Sequence, residues 1–190
     1  IESILKKTTY PNYEILVVDN QSSCMHTLEY MRQLEKDRIY GGHIRVLKYD
    51  HPFNYSAINN FAATRARGSV LGLINNDVEV IGGEWLSEMV SHAVRPDIGC
   101  VGAKLYYPDG TLQHAGVVLG IGGVAGHSHK YFPGDSEGYF GRLRTIHNVS
   151  AVTGAVLVVR TKIFEKVNGL NAADLTVAFN DVDFCIKVRQ

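Results

Sequence analysis

The pattern of apolar and polar positions changes character once along the chain, near residue 97. Before that point, short apolar runs alternate with segments of helical periodicity. Residues 14–19 hold four consecutive apolar positions, Ile15 to Val18, closed by Asp19. Residues 70–74 form a second such run, leading into Asn75-Asn76-Asp77. Continuous runs of this length read as strands covered on both faces, as a parallel sheet requires. Between them, Leu28, Met31 and Leu34 recur near helical spacing and predict a helix over 24–38. A strand is predicted at 44–47, and helices at 56–67 and 84–94. Strand–helix alternation with short connections predicts a Rossmann-like, mainly parallel sheet flanked by helices, an α/β fold.

Beyond residue 97, strands at 99–107 and 112–119 flank Pro108-Asp109-Gly110, which has the turn chemistry of a hairpin. They predict a smaller, mixed second sheet. Residues 120–141 contain seven glycines and read as a mobile Gly-rich loop. A strand at 155–159 follows, then a short helix, the turn Asn168-Gly169 and a last helix starting near Asn180. The division suggests one continuous domain in two halves, 1–97 and 98–190. The first and last segments both read as helices without a cap or terminator, the pattern of a chain cut at both ends.

Composition narrows the class. The 190 residues are 45% hydrophobic and 20% charged, as in ordinary globular proteins. Nineteen basic residues balance nineteen acidic ones, which gives no support to nucleic-acid binding. No apolar run approaches the roughly 18 residues needed to span a bilayer. Cys24, Cys100 and Cys185 lack metal-ligand spacing and read as reduced core thiols of a cytoplasmic protein.

In open α/β sheets, ligands bind beyond the carboxyl ends of the strands, which directs attention to Asp19 and to Asn75-Asn76-Asp77. Asp and Asn also favour turns and caps, so either group alone is equally a local structural feature. Glu79 lies two residues past Asp77, and in extended backbone the two carboxylates point the same way. Together they suit one hard cation with oxygen ligands. A second acidic group, Asn180-Asp181-Val182-Asp183, opens the last helix, where carboxylates also complement the helix dipole. Held against a sugar hydroxyl, such a carboxylate is a general base. His127-Ser128-His129 resembles a metal pair, although a flexible loop more often leaves such histidines in solvent.

Several stretches carry a family resemblance. Residues 10–22, from Tyr10-Pro11-Asn12 to Asn20-Gln21-Ser22, resemble the second strand of family 2 glycosyltransferases. So do Asn59-Asn60 through Gly68, the strand ending Ile74-Asn75-Asn76-Asp77-Val78-Glu79, Gly154 through Leu170, and Asn180-Asp181-Val182-Asp183-Phe184. The order and spacing agree over nearly the whole chain. The resemblance implies a GT-A fold and inverting transfer from a nucleotide sugar to a glycan or lipid-linked saccharide. It puts Asp19 against the nucleoside, grouped with Asn20, Asn60 and Asn76. It puts Mn2+ or Mg2+ on Asp77, with Glu79 as helper, and makes Asp181 the base. His114, Trp85 and Asp183 are then candidates for the acceptor. Gln113-His114-Ala115-Gly116 resembles the subgroup that builds bacterial O-antigen and related polysaccharides, which implies a cytoplasmic site, with peripheral association at the inner face of the membrane through flanking regions.

This sequence departs from the family pattern at two places. Asn75 stands where the family's first metal-site aspartate is usual, and Asn180 stands where its glutamate is usual. The family's first strand falls before Ile1. Two other functions fit part of the pattern: a sugar-phosphate nucleotidyltransferase, which shares the nucleotide half, and a carbohydrate-binding domain without activity.

Overall fold

The computed structural model describes residues 1–36 and 43–190. Helix α1 (Glu2–Lys7) precedes strand β1 (Ile15–Asp19), helix α2 (Met25–Lys36), strand β2 (Ile44–Lys48), helix α3 (Tyr55–Ala63) and strand β3 (Val70–Ile74). Then come helix α4 (Trp85–Ala93) and the short strands β4 (Cys100–Gly102), β5 (Leu105–Tyr106), β6 (Leu112–His114), β7 (Val117–Leu119) and β8 (Ala125–His127). Strand β9 (Val156–Arg160), helix α5 (Thr161–Lys166) and helix α6 (Asn180–Arg189) complete the chain. The end of the predicted second helix, Asp37 and Arg38, lies outside the described residues.

The predicted elements of the first half form, and β1 pairs with β2 in parallel. The expectation of a mainly parallel sheet needs correction. The sheet that forms the core runs β3–β9–β4, and β9 is antiparallel to both neighbours. Among the described residues no ladder joins β1 to β3. Nor are β1 and β3 sealed on both faces: Ile15 to Val18 are half-buried and Gly72 is exposed.

The strand buried on both sides is β9. Val156, Leu157, Val158 and Val159 are each 3% exposed or less. Their alternation divides the interior. Leu157 and Val159 pack with Leu71, Leu73, Phe164, Val182 and Phe184, on the side of α5 and α6. Val156 and Val158 pack with Met89 and Ala93 of α4. A strand between two neighbours and two helical layers has no wet face, which accounts for its unbroken apolar run.

The second half is more finely divided than predicted. Residues 99–107 split into β4 and β5, and 112–119 split into β6 and β7 at buried Gly116. Gly116 has φ +96, and a Cβ there would meet Val149, so glycine is required. The hairpin turn forms as expected: Gly110 N–H donates to Tyr107 O, and Asp109 Oδ1 accepts from Thr111 N–H and Oγ1–H. The Gly-rich stretch is not a bare loop. It folds back as β8 on β7 and includes two 3₁₀ turns, at Ile121–Gly123 and Tyr139–Arg144.

Cys100 and Cys185 lie in the interior with their Sγ atoms 3.7 Å apart, as reduced core thiols. Cys24 is exposed, a correction to its predicted burial: it precedes α2, and its carbonyl accepts the N–H of Leu28 as the helix begins.

Candidate active site

The end of β3, the residues before β9 and the start of α6 converge on a cavity of about 350 Å³. Asn75, Tyr55, His127, Thr153, Gly154, Phe179 and Asp181 line it. Two sequence candidates far apart in the chain, Asn75 and Asp181, are thus brought to one space.

Asp181 is placed by three elements. It sits in the first turn of α6, where a carboxylate complements the helix dipole. Its Oδ2 accepts the backbone N–H of Gly154 at 2.9 Å, and its Oδ1 accepts Val182 N–H at 2.8 Å. Tyr55 Oη donates to the carbonyl of the same Gly154 at 2.9 Å. Burial, with the Asp181 charge adding to it, pushes the Tyr55 phenol up to about 12, so it remains a neutral donor. Before α6 the chain turns sharply: Phe179 has φ 60, the left-handed region, and lines the cavity.

Asn180 is buried, with its amide donating to Val177 O at 3.1 Å and to Leu175 O. The Ser56 hydroxyl donates to Leu175 O at 2.6 Å, and Asn54 donates to Ala172 O at 2.9 Å. Asn180 thus braces the loop that positions Asp181.

The predicted pair of carboxylates at the end of β3 does not form. Val78 N–H donates to Asn75 O, so the backbone turns where extended geometry was assumed. Asp77 is exposed in that turn, and Asn76 is exposed beside it. Glu79 is drawn away into an exposed ion pair with Lys7 at 3.2 Å. Lys7 also donates to Val80 O at 2.7 Å, which anchors it there. Among the described residues no cluster of three His, Cys, Asp or Glu side chains can hold a metal. The donors left are the carboxylate of Asp77 and the amide oxygens of Asn75 and Asn76. That set suits a hard cation that takes its remaining ligands from a substrate diphosphate.

The nucleotide candidates separate. Asp19 is buried at the end of β1, and its Oδ1 accepts Ser22 N–H at 3.0 Å. Asn20 uses both amide hydrogens on Tyr49 O and His51 O, at 2.9 and 2.8 Å. Asn60 is a strut between two elements. It donates to Leu170 O at 2.8 Å and accepts Leu170 N–H at 2.9 Å, joining α3 to the turn after α5.

The acceptor candidates each have protein partners. Trp85 packs α4 against the Val156–Val158 face of β9, and its Nε1–H donates to Thr8 Oγ1 at 2.9 Å. Asp183 pairs with Lys187 one turn along α6, at 3.0 Å. His114 is 1% exposed, too deep to touch an acceptor. Its Nδ1 lies 2.8 Å from Nδ1 of His127, which does line the cavity. His129 turns elsewhere, toward Ser128 Oγ and the edge of Phe132, so the His-x-His pair does not converge. Tyr55 and Gly154 were missed as site residues, and His127 was considered only as half of a metal pair, because only pairing across β7 and β8 and packing between α3 and α6 bring the three together.

Two solved structures share this fold. One is a mannosyltransferase from Pyrobaculum calidifontis in complex with GDP-Man and Mn2+, with TM-score 0.68 and 14% identity over 98% of this chain and 46% of that one. The other is GalNAc-T7 with UDP, GalNAc and Mn2+, with TM-score 0.72 and 16% identity over 98% of this chain and 36% of that one. The architecture is that of a GT-A glycosyltransferase. The model of glycosyl transferase family 2 matches residues 1–167, and the chain belongs to that family. It is 57% identical over all 190 residues to the uncharacterized protein y4gI of Sinorhizobium fredii, and 40% identical over the same span to the O-antigen biosynthesis protein RfbC of Myxococcus xanthus. It spans only 20% and 14% of those two proteins.

Proposed function

We propose that this chain performs inverting transfer of a sugar from a nucleoside-diphosphate sugar to a hydroxyl of a glycan or lipid-linked saccharide, in bacterial cell-surface polysaccharide synthesis. The observation that carries the reading is the Asp181 carboxylate, fixed by Gly154 N–H in a cavity that the end of β3 also lines. Family membership and the likeness to RfbC support the same direction. Residues 1–97 are the nucleotide-sugar half and residues 98–190 the acceptor and base half.

In this reading Asp19 receives the nucleoside: Ser22 N–H occupies Oδ1, which leaves Oδ2 for a ribose hydroxyl. Asp77, with the amide oxygens of Asn75 and Asn76, would hold Mn2+ or Mg2+, which when bound offsets charge on the leaving diphosphate. Asp181 accepts the proton of the acceptor hydroxyl as its oxygen attacks the anomeric carbon from the face opposite the diphosphate. The two hydrogen bonds to its oxygens hold the carboxylate in place against the cavity. The reaction takes place on the cytoplasmic side. Among the described residues no helix is long and apolar enough to cross a membrane.

The test is Asp181→Asn in the intact protein, assayed for nucleoside diphosphate release across UDP-, GDP- and dTDP-sugars. General-base assistance is worth about 10²–10⁴ in rate, and a loss of that size with donor binding retained is expected. Near-normal turnover would exclude Asp181 as the base. Release of pyrophosphate would instead favour a nucleotidyltransferase.

A further inference from the structure

His114 is neutral by construction. Burial pushes its pKa down to about 3, and the neighbouring His127 adds to the effect. Its Nε2 faces two backbone donors, Gly116 N–H at 3.3 Å and Thr153 N–H at 3.4 Å. A nitrogen that accepts from N–H groups carries no proton, so the single proton of neutral His114 sits on Nδ1. That Nδ1–H points at His127 Nδ1, 2.8 Å away, with the rings edge to face. His127 Nδ1 must then accept, and a neutral His127 bears its proton on Nε2. Burial and the Lys130 charge hold His127 below the usual histidine range, while Asp181 pulls the other way. Among the described residues nothing is hydrogen-bonded to His127 Nε2, and the residue lines the cavity that Asp181 lines.

We propose that His127, held as its Nε2–H tautomer by His114, donates a hydrogen bond to a hydroxyl of the sugar that enters the Asp181 cavity as acceptor. His114 is the positioning residue, since it reaches the cavity only through His127. Asp181 as an ionised carboxylate can only accept, and His127 supplies the complementary donor. A sugar hydroxyl, which both donates and accepts, is the group that such a pair of neighbours recognises. The inference rests on the proposed transferase reading for the identity of the ligand, while the tautomer relay stands on the hydrogen bonds of His114 and His127 whatever the ligand is.

Long-range ¹H–¹⁵N spectra of the histidine rings in the intact protein at pH 7 test both parts. His127 is expected to show a protonated Nε2 and a bare Nδ1, and His114 the reverse. His114→Phe should release His127 into mixed tautomers, and His114→Asn, which keeps an N–H donor toward His127 Nδ1, should restore the single form. The methyl glycosides of glucose, galactose, mannose and rhamnose are then titrated in. At least one should shift the His127 Nε2–H signal. His127→Ala should weaken that glycoside by about 3- to 10-fold, the worth of one neutral hydrogen bond. A bare Nε2 in the free protein, a His127 tautomer unmoved by His114→Phe, direct binding of Mn2+ at His127 Nε2, or silence across all four glycosides would each overturn the proposal. If these signals behave as expected while turnover proves independent of Asp181, the base assignment fails alone. If turnover requires Asp181 and the glycosides leave His127 unmoved, this inference fails alone.

Discussion

Gly154 donates its backbone N–H to Asp181 at 2.9 Å, and a Cβ on Gly154 would lie 3.5 Å from the Asp181 Cβ and 3.2 Å from Tyr55 Oη. The chain before β9 therefore passes close against both the candidate base and its neighbouring phenol.

Gly154→Ala should disturb activity more than folding. The added methyl crowds Tyr55 Oη within a few tenths of an ångström, and either the phenol or the Asp181 segment must give. A displacement of about 1 Å at a reacting group can cost on the order of 100-fold in rate. Turnover at least tenfold lower, with a melting temperature within a few degrees of the parent, is expected. Unchanged turnover would show that the site tolerates movement at Gly154.

Asp77→Ala and Glu79→Ala should differ sharply. Asp77 is the uncommitted carboxylate of the β3 turn, whereas Glu79 is occupied by Lys7 in an exposed pair worth about 0–1 kcal/mol. Metal-dependent nucleoside diphosphate release should collapse in the first variant and survive in the second. Equal losses would return Glu79 to the cation.

Acid should destabilise the fold through His114. Its folded pKa of about 3 lies below the ordinary 6.5, so between these values the unfolded chain binds more protons. The stabilisation is fully present above pH 6.5 and is lost as pH falls toward 3. The slope approaches 1.4 kcal/mol per pH unit for one such group. His127 is lowered too and acts with the same sign, opposed by Asp181 and reinforced by Lys130. Urea midpoints at pH 7.0, 5.5 and 4.5 should decline in the parent and decline less in His114→Phe.

Phe184→Ala should be among the costliest core changes. Phe184 is fully buried and its ring centroid lies 5.4 Å from that of Phe164, between α6 and β9. Truncations of this type cost about 3–5 kcal/mol. The same loss loosens the helix that carries Asp181, so equilibrium denaturation and activity should fall together.

The turn after β3 shows where sequence reading succeeds and where it stops. Asn75-Asn76-Asp77 was located at the end of a strand, and the strand ends there. Glu79 was matched to Asp77 by the two-residue period of extended chain. The hydrogen bond from Val78 to Asn75 breaks that period, and Lys7, 72 residues earlier, captures the carboxylate. The Asn60 amide and the Trp85 indole N–H likewise find distant partners, Leu170 and Thr8, that no local pattern announces.

By itself the sequence determined the main elements of the first half, the α/β class and the family. Apolar periodicity, turn chemistry and motif order are local properties, and each is written within a dozen residues. Only the tertiary structure decided that β9 lies antiparallel between β3 and β4, and that buried His114 reaches the cavity through His127. Strand direction and side-chain partnership depend on which distant segments exclude water from one another. A buried polar group takes whatever partner the fold brings within hydrogen-bond reach.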